Sequence, residues 1–423
     1  MKNIDSRDLL DFHFLSNVAY SPDGRSAAFL EHCPAEEKNR YASRLWLYTA
    51  DSGETRPLTA GDDASNFIWL DNDSLLFASK REKPKADTTQ FFRLDLRGGE
   101  AMPYFTVPNR VTFIRRIDQN RYVLLCTIDV ETEEKRENRA EYGKDFHVFS
   151  EIPFWSDGRG ITNKKRSTLM LFDATTGACT RVSPELTDVT TVRLSQNGER
   201  VLYAGKHYAD VRPRVAGLYE YDISKGETRT IVEPGEFEID TLAITSRHFF
   251  FSGNDCAFPG KNPRLFLVDQ QIGERTMLPD YDFEPGGGVG TDSSYGGGRT
   301  HKYSVGKVYM LMVDRVTSRL ISIDGKGEKQ VYTKKDGGIQ CFDVFGKSAL
   351  FIGMRDGRLP ELYSLDLATG EEKRLTEFNE AWYQEHKPAA PVQFAFKNRH
   401  GFELDGFVLY PAGFEPGKQY PAV

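Results

Sequence analysis

The chain of 423 residues sets 55 Lys and Arg against 62 Asp and Glu, a net charge of −7, and 12% of it is aromatic. That composition supports a large buried core and excludes a disordered chain. No run of Lys and Arg forms a phosphate-tracking patch, so no nucleic-acid partner is expected. No apolar stretch reaches the roughly 18 residues of a membrane span.

The chain opens on MKNIDSRDLLDFHF, which is polar and acidic early and does not read as a secretory leader. A phrase then recurs: an apolar strand, an acid or its stand-in, a short turn ending in glycine, and a second strand. Its copies begin at Leu45, Phe91, Leu169, Leu218, Leu265, Leu320 and Leu362. Most intervals are close to about fifty residues, the period of a propeller blade. In LYSLDLATGEEKRLT, Asp366 ends the strand and is placed to bond the backbone two residues on, while Gly370 supplies the positive φ of the turn. Upstream of several copies lies another hairpin, marked by Ser21-Pro22-Asp23-Gly24 and by Ser195-Gln196-Asn197-Gly198. Two hairpins per period make a four-stranded antiparallel blade. Seven periods predict an all-β fold, a seven-bladed β-propeller. The blades are expected at 12–60, 61–107, 108–183, 184–234, 235–280, 281–334 and 335–380.

The third period carries an insertion from Glu131 to Lys165. It starts as the charge run ETEEKRENRAEYGKD, and it reads either as a solvated excursion or as a loop that covers a face. A glycine-rich stretch at 286–298 reads as a mobile loop opening the sixth blade. Glu380 to Pro391 reads as a linker. Val392 to Phe396 and Leu404 to Tyr410 read as a further hairpin. The chain ends in Tyr420-Pro421-Ala422-Val423, which reads as the start of another strand.

Five cysteines lie far apart with no C-x-x-C pair, which points to reduced thiols, a cytoplasmic location, no disulfide frame and no zinc site. Eight histidines are scattered without an H-E-x-x-H or an i, i+4 pair, so no metal is expected. No cofactor is implied.

The order of these parts resembles the prolyl oligopeptidase family (S9) of serine peptidases, most closely its acylaminoacyl-peptidase-like bacterial branch. The carriers are the propeller periods, then Asp405-Gly406-Phe407-Val408-Leu409-Tyr410-Pro411 and Tyr420-Pro421-Ala422-Val423. Pro153-Phe154-Trp155-Ser156-Asp157-Gly158-Arg159-Gly160 also resembles a stretch of the family's propeller. The resemblance implies a propeller domain over 1–383 and, over 384–423, a linker and the truncated start of an α/β-hydrolase domain. It implies hydrolysis of short peptides or acylaminoacyl peptides, with the propeller as a size filter around the catalytic site. The family's oxyanion segment, its Gly-x-Ser-x-Gly-Gly elbow and its Asp and His have no match here. No catalytic residue is therefore assigned, and the chain alone is expected to be inactive.

Ser293-Ser294-Tyr295-Gly296-Gly297 imitates half of that elbow, but Asp292 stands where the elbow needs glycine. Glu151, Phe154 and Trp155 are the candidate substrate-binding residues, on loop position alone. Their competing role is packing of the loop on its blade, and Arg159 or Arg166 is the alternative, as a carboxylate holder. The expected partners are a peptide substrate and the missing hydrolase domain, with no membrane, and a homo-oligomer is left open. Two other readings stand beside the peptidase: a non-catalytic propeller that binds peptides or proteins, and a propeller enzyme working in its own channel.

Overall fold

The computed structural model describes the chain except residues 1, 3, 83, 84, 86, 132–145, 292, 412 and 423. The charge run of the insertion from 132 onward, Asp292, and Val423 of the C-terminal motif lie outside the described residues.

All seven copies of the phrase fold as strand, turn and strand. In the last, Glu361–Asp366 runs antiparallel to Glu372–Arg374 with Tyr363 opposite Arg374. Asp366 Oδ1 accepts the N–H groups of Ala368 and Thr369, both at 2.8 Å. Gly370, at φ +74°, donates its N–H to the Asp366 carbonyl at 2.8 Å. Asp173 and Gly177 repeat the arrangement. The carboxylate thus replaces a backbone acceptor, and the glycine adopts a conformation costly for any residue with a Cβ.

The phrases supply the outer hairpins of antiparallel sheets. Five four-stranded sheets cover 14–57, 65–107, 110–181, 301–331 and 339–374, and a seven-stranded sheet covers 187–277. Inner strands of the sheets are apolar on both faces. Ser74–Ala78 is buried throughout, and in His248–Asn254 the run Phe249, Phe250, Phe251 is buried. Alternation is lost because neighbouring sheets cover both faces. Each such phenylalanine contributes about 1.5–3 kcal/mol by leaving water.

Successive sheets share apolar clusters around a ring. Leu45 meets Phe77, Phe91 meets Leu124, Leu169 meets Val201, Phe250 meets Met310, and Leu320 meets Phe351. Leu15 and Phe29 of the first sheet join Leu350 and Ile352 of the last, closing a β-propeller. At that seam Gly24, at φ +73°, lies so close to the Phe345 ring that a Cβ would sit 2.2 Å from it.

The expectation of seven separate four-stranded blades is corrected: among the described residues five such sheets are discrete. Between the expected fourth and fifth blades, one strand, Glu227–Ile244, crosses the boundary without a break. Ala216 pairs with Phe237 and Leu218 with Val232, so the strand bends past its partner at 233–236. It then pairs Glu238 with Asn254. Pro234 and Gly235 relax the backbone there without ending it, and the two halves fold on each other through Leu218, Ile239 and Phe251.

The expected linker is also partly ordered. Glu380–Glu385 forms a short helix, α1. Its Trp382 packs edge-on against Phe12 at 5.1 Å, and Asn379 exchanges two hydrogen bonds with the His13 backbone at 2.9 and 3.0 Å. The chain's two terminal segments are thereby tied together beside the seam. Beyond α1, Pro391–Lys397 and Glu403–Leu409 form a hairpin whose Phe394, Phe407 and Leu409 stay exposed. No helix among the described residues is long and apolar enough to cross a membrane.

Candidate functional site in the central channel

The first strands of the sheets converge on a central cavity of about 660 Å³. The strands bring in apolar residues, such as Val18, Ile68 and Ile114, neutral polar ones, such as Asn66 and Thr112, and charged ones. From the third sheet comes Arg115, from the seven-stranded sheet Arg193, from the segment before the next sheet Arg299, then His301 and Lys302, and from the last sheet Asp343.

Asp343 is the hub. Its Oδ1 accepts from Arg299 Nη1 and Lys302 Nζ, both at 2.6 Å, and from its neighbour's N–H, that of Val344, at 3.0 Å. Its Oδ2 accepts the Tyr20 N–H at 2.9 Å, joining the last sheet to the first across the seam. Burial by itself would raise the Asp343 carboxyl's proton affinity, but Arg299 and Lys302 outweigh it and hold the group ionised below the usual carboxylate range.

The other cations are not matched. Arg115 donates to the Ile114 carbonyl at 2.7 Å and lies over the Phe113 ring at 4.6 Å. Arg193 donates to the Val192 carbonyl at 2.6 Å and meets the His301 ring nitrogen. Neither has an ion-pair partner among the described residues. Burial, helped by Arg299, pulls Arg115 down to about 9 and Arg193 down to about 10. Burial, and then Arg193 and Arg299, hold His301 well below its ordinary value, so its ring is neutral and accepts from Arg193. Five cationic residues line the cavity, Arg115, Arg193, Arg299, Lys302 and also Arg116, which donates to the Asp118 and Leu70 carbonyls, against the one carboxylate of Asp343, in a chain whose overall charge is negative.

The sequence-derived candidates lie elsewhere. Glu151 is buried and pairs with Arg166, which is 0% exposed, at 2.5 and 3.1 Å. Arg166 also donates to the Tyr208 carbonyl at 3.0 Å and lies 3.8 Å over the Tyr208 ring. Burial would raise the Glu151 carboxyl, but Arg166, the Lys164 N–H and both cations together depress it. The pair fastens the end of the insertion to its sheet, so both residues are occupied. Phe154 stacks on Phe149 at 4.3 Å, and both it and Trp155 are exposed outside the cavity lining. Arg159, on the same loop, is exposed as well.

Ser294 donates to the Thr291 carbonyl at 3.1 Å. The glycine-rich stretch around it is tied down: Tyr295 stacks on the buried His32 at 3.6 Å, and Gly298 approaches Cys341 so closely that a Cβ would lie 2.4 Å from it. Among the described residues no group of three His, Cys, Asp or Glu is placed to hold a metal. The channel cations escaped the sequence reading because no linear spacing joins them. What they share is position, on the first strand of a sheet or just before it, as in Arg115 of Arg110–Arg116 and Arg299 ahead of His301–Ser304.

No family model matches the chain. A curated relative, the uncharacterized peptidase YuxL of Bacillus subtilis, is 24% identical over 439 residues, covering 100% of this chain and 66% of its own length. Among solved structures, Pyrococcus horikoshii acylaminoacyl peptidase superposes with a TM-score of 0.76 at 20% identity, over 99% of this chain and 61% of that one. A Mycobacterium tuberculosis puromycin-hydrolyzing peptidase gives 0.65 at 14% identity, over 99% of this chain and 62% of that one. The β-propeller domain of the Trilobed protease from Pyrococcus furiosus gives 0.58 at 16% identity, over 87% of this chain and 97% of that one. The chain therefore spans less than two thirds of the first relatives' length, and what it resembles, from end to end, is the propeller portion of peptidases of the prolyl oligopeptidase type.

Proposed function

We propose that this chain is the substrate-gating propeller of a serine peptidase that hydrolyses short peptides or acylaminoacyl peptides. The observation that carries the reading is end-to-end similarity to peptidases that extend well beyond it. In this reading the seven-stranded sheet counts as two blades sharing the strand Glu227–Ile244, which gives seven. Residues 1–383 form the propeller, and 384–423 lead through the exposed hairpin into a hydrolase domain whose core covers Phe394, Phe407 and Leu409. The nucleophilic Ser, its His base and the orienting Asp belong to that domain. Phe154 and Trp155 would meet peptide from the loop they share. Five unpaired cysteines favour the cytoplasm.

The hairpin also weighs against a free-standing peptide-binding propeller, because a paired hairpin of about twenty residues cannot build a core of its own. A fluorophosphonate serine probe and acetyl-alanine p-nitroanilide test the assignment. The 423-residue chain is expected to be neither labelled nor active. Labelling that Ser294→Ala abolishes would overturn it and place the nucleophile in the glycine-rich loop.

A further inference from the structure

The channel holds more positive charge than its protein partners neutralise. Arg299 and Lys302 share Asp343, while Arg115 and Arg193 are left with backbone carbonyls, one aromatic ring and a neutral histidine. Like charges enclosed by low-dielectric walls repel one another, and an entering anion relieves that repulsion. The guanidinium fork matches a carboxylate in shape. The walls between the cations mix apolar side chains, Val18, Phe113 and Leu242, with neutral polar ones, Asn66, Thr112 and Gln196, and that mixture suits the carbon skeleton and amides of a peptide better than a run of phosphates.

We propose that Arg115, Arg193 and Arg299 form an anion seat in the central channel that takes a peptide carboxylate, either at the C terminus or on an acidic side chain. The choice of a peptide as the carrier rests on the peptidase reading; the cationic seat itself does not. The propeller would then select by charge as well as by size, and would draw acidic peptides inward by electrostatic steering.

Calorimetric titration of the full chain at low salt tests this with four probes: acetyl-Ala-Ala-Phe as the free acid, its C-terminal amide, acetyl-Ala-Glu-Phe amide, and inorganic phosphate. At least one carboxylate peptide should bind about tenfold or more tighter than the neutral amide. Which of the two does so identifies the source of the carboxylate, and added salt should weaken it. Arg115→Met and Arg193→Met should each abolish the preference, and Arg193→Lys should retain part of it. Equal binding of acid and neutral amide overturns the proposal, as does a preference that survives both Met variants. Binding of phosphate alone, or of none of the four, also overturns it. If the Met variants do not fold, the comparison of probes on the unaltered chain still decides. No step requires catalysis, so loss of the seat leaves the peptidase reading standing, and serine labelling of this chain leaves the seat standing.

Discussion

Arg166 and Arg193 lie on neighbouring sheets, in Lys165–Asp173 and Thr187–Leu194, and their surroundings differ in one respect. Arg166 is sealed from water and meets Glu151, three backbone carbonyls and an aromatic face. Arg193 faces the channel with carbonyl and imidazole partners and no carboxylate of its own. The first arrangement is saturated and can only hold the fold together. The second is left open, which is costly for a folded protein unless a ligand uses it. Charged residues are therefore informative about function where their partners run short, and not where burial is deepest.

The contrast is broken most strongly at Arg166. Arg166→Met leaves Glu151 buried without its partner and should cost about 3–5 kcal/mol, read by denaturant unfolding. Arg166→Met with Glu151→Leu should recover most of that loss. A single variant as stable as the parent would mean that water reaches Glu151.

The second test is acid. His301 in the native channel refuses a proton, whereas an unfolded histidine titrates near pH 6.5. Its stabilising contribution is present above about pH 6.5 and is lost as pH falls below it, at about 1.4 kcal/mol per pH unit. His32, which burial brings down to about 4, adds the same sign between those two values. Unfolding free energies measured across this range should decline more gently in His301→Asn than in the parent. Identical slopes would show that His301 protonates freely in the channel.

Arg193→Met is expected to leave the melting temperature unchanged or slightly raised, because it removes one of several repelling charges. A loss comparable to that of Arg166→Met would make Arg193 a structural residue. The smallest effect is expected at Arg315, which is half exposed and reaches Asp405 at 2.7 Å and Glu403 at 3.0 Å on the hairpin. Arg315→Met should not move the unfolding midpoint measurably, since water screens such pairs. Removing residues 391–423 should likewise spare the propeller while reducing dye binding and self-association, as its exposed apolar strands go with it. Unfolding of the remainder would assign the hairpin to the propeller.

Much of the fold was legible in the sequence because its causes are local. An Asp, a short turn and a glycine make a hairpin whatever surrounds them, so Asp173 to Gly177 and Asp366 to Gly370 announced their turns, and their repetition announced a propeller. The helix at Glu380–Glu385 was missed because Trp382 is held by Phe12, which is remote in sequence. The division into sheets was misjudged at Pro234-Gly235, where two punctuating residues bend a strand instead of ending it; pairing partners decide that outcome. Glu151 was singled out as a substrate contact from its loop position alone, which could not reveal that Arg166 folds against it. The channel charges are spread along the chain from Arg115 to Asp343, so only closure of the ring could bring Arg115, Arg193, Arg299 and Asp343 together. Local hydrogen-bonding chemistry is written into sequence, whereas the charge balance of a cavity is a sum over every strand that lines it.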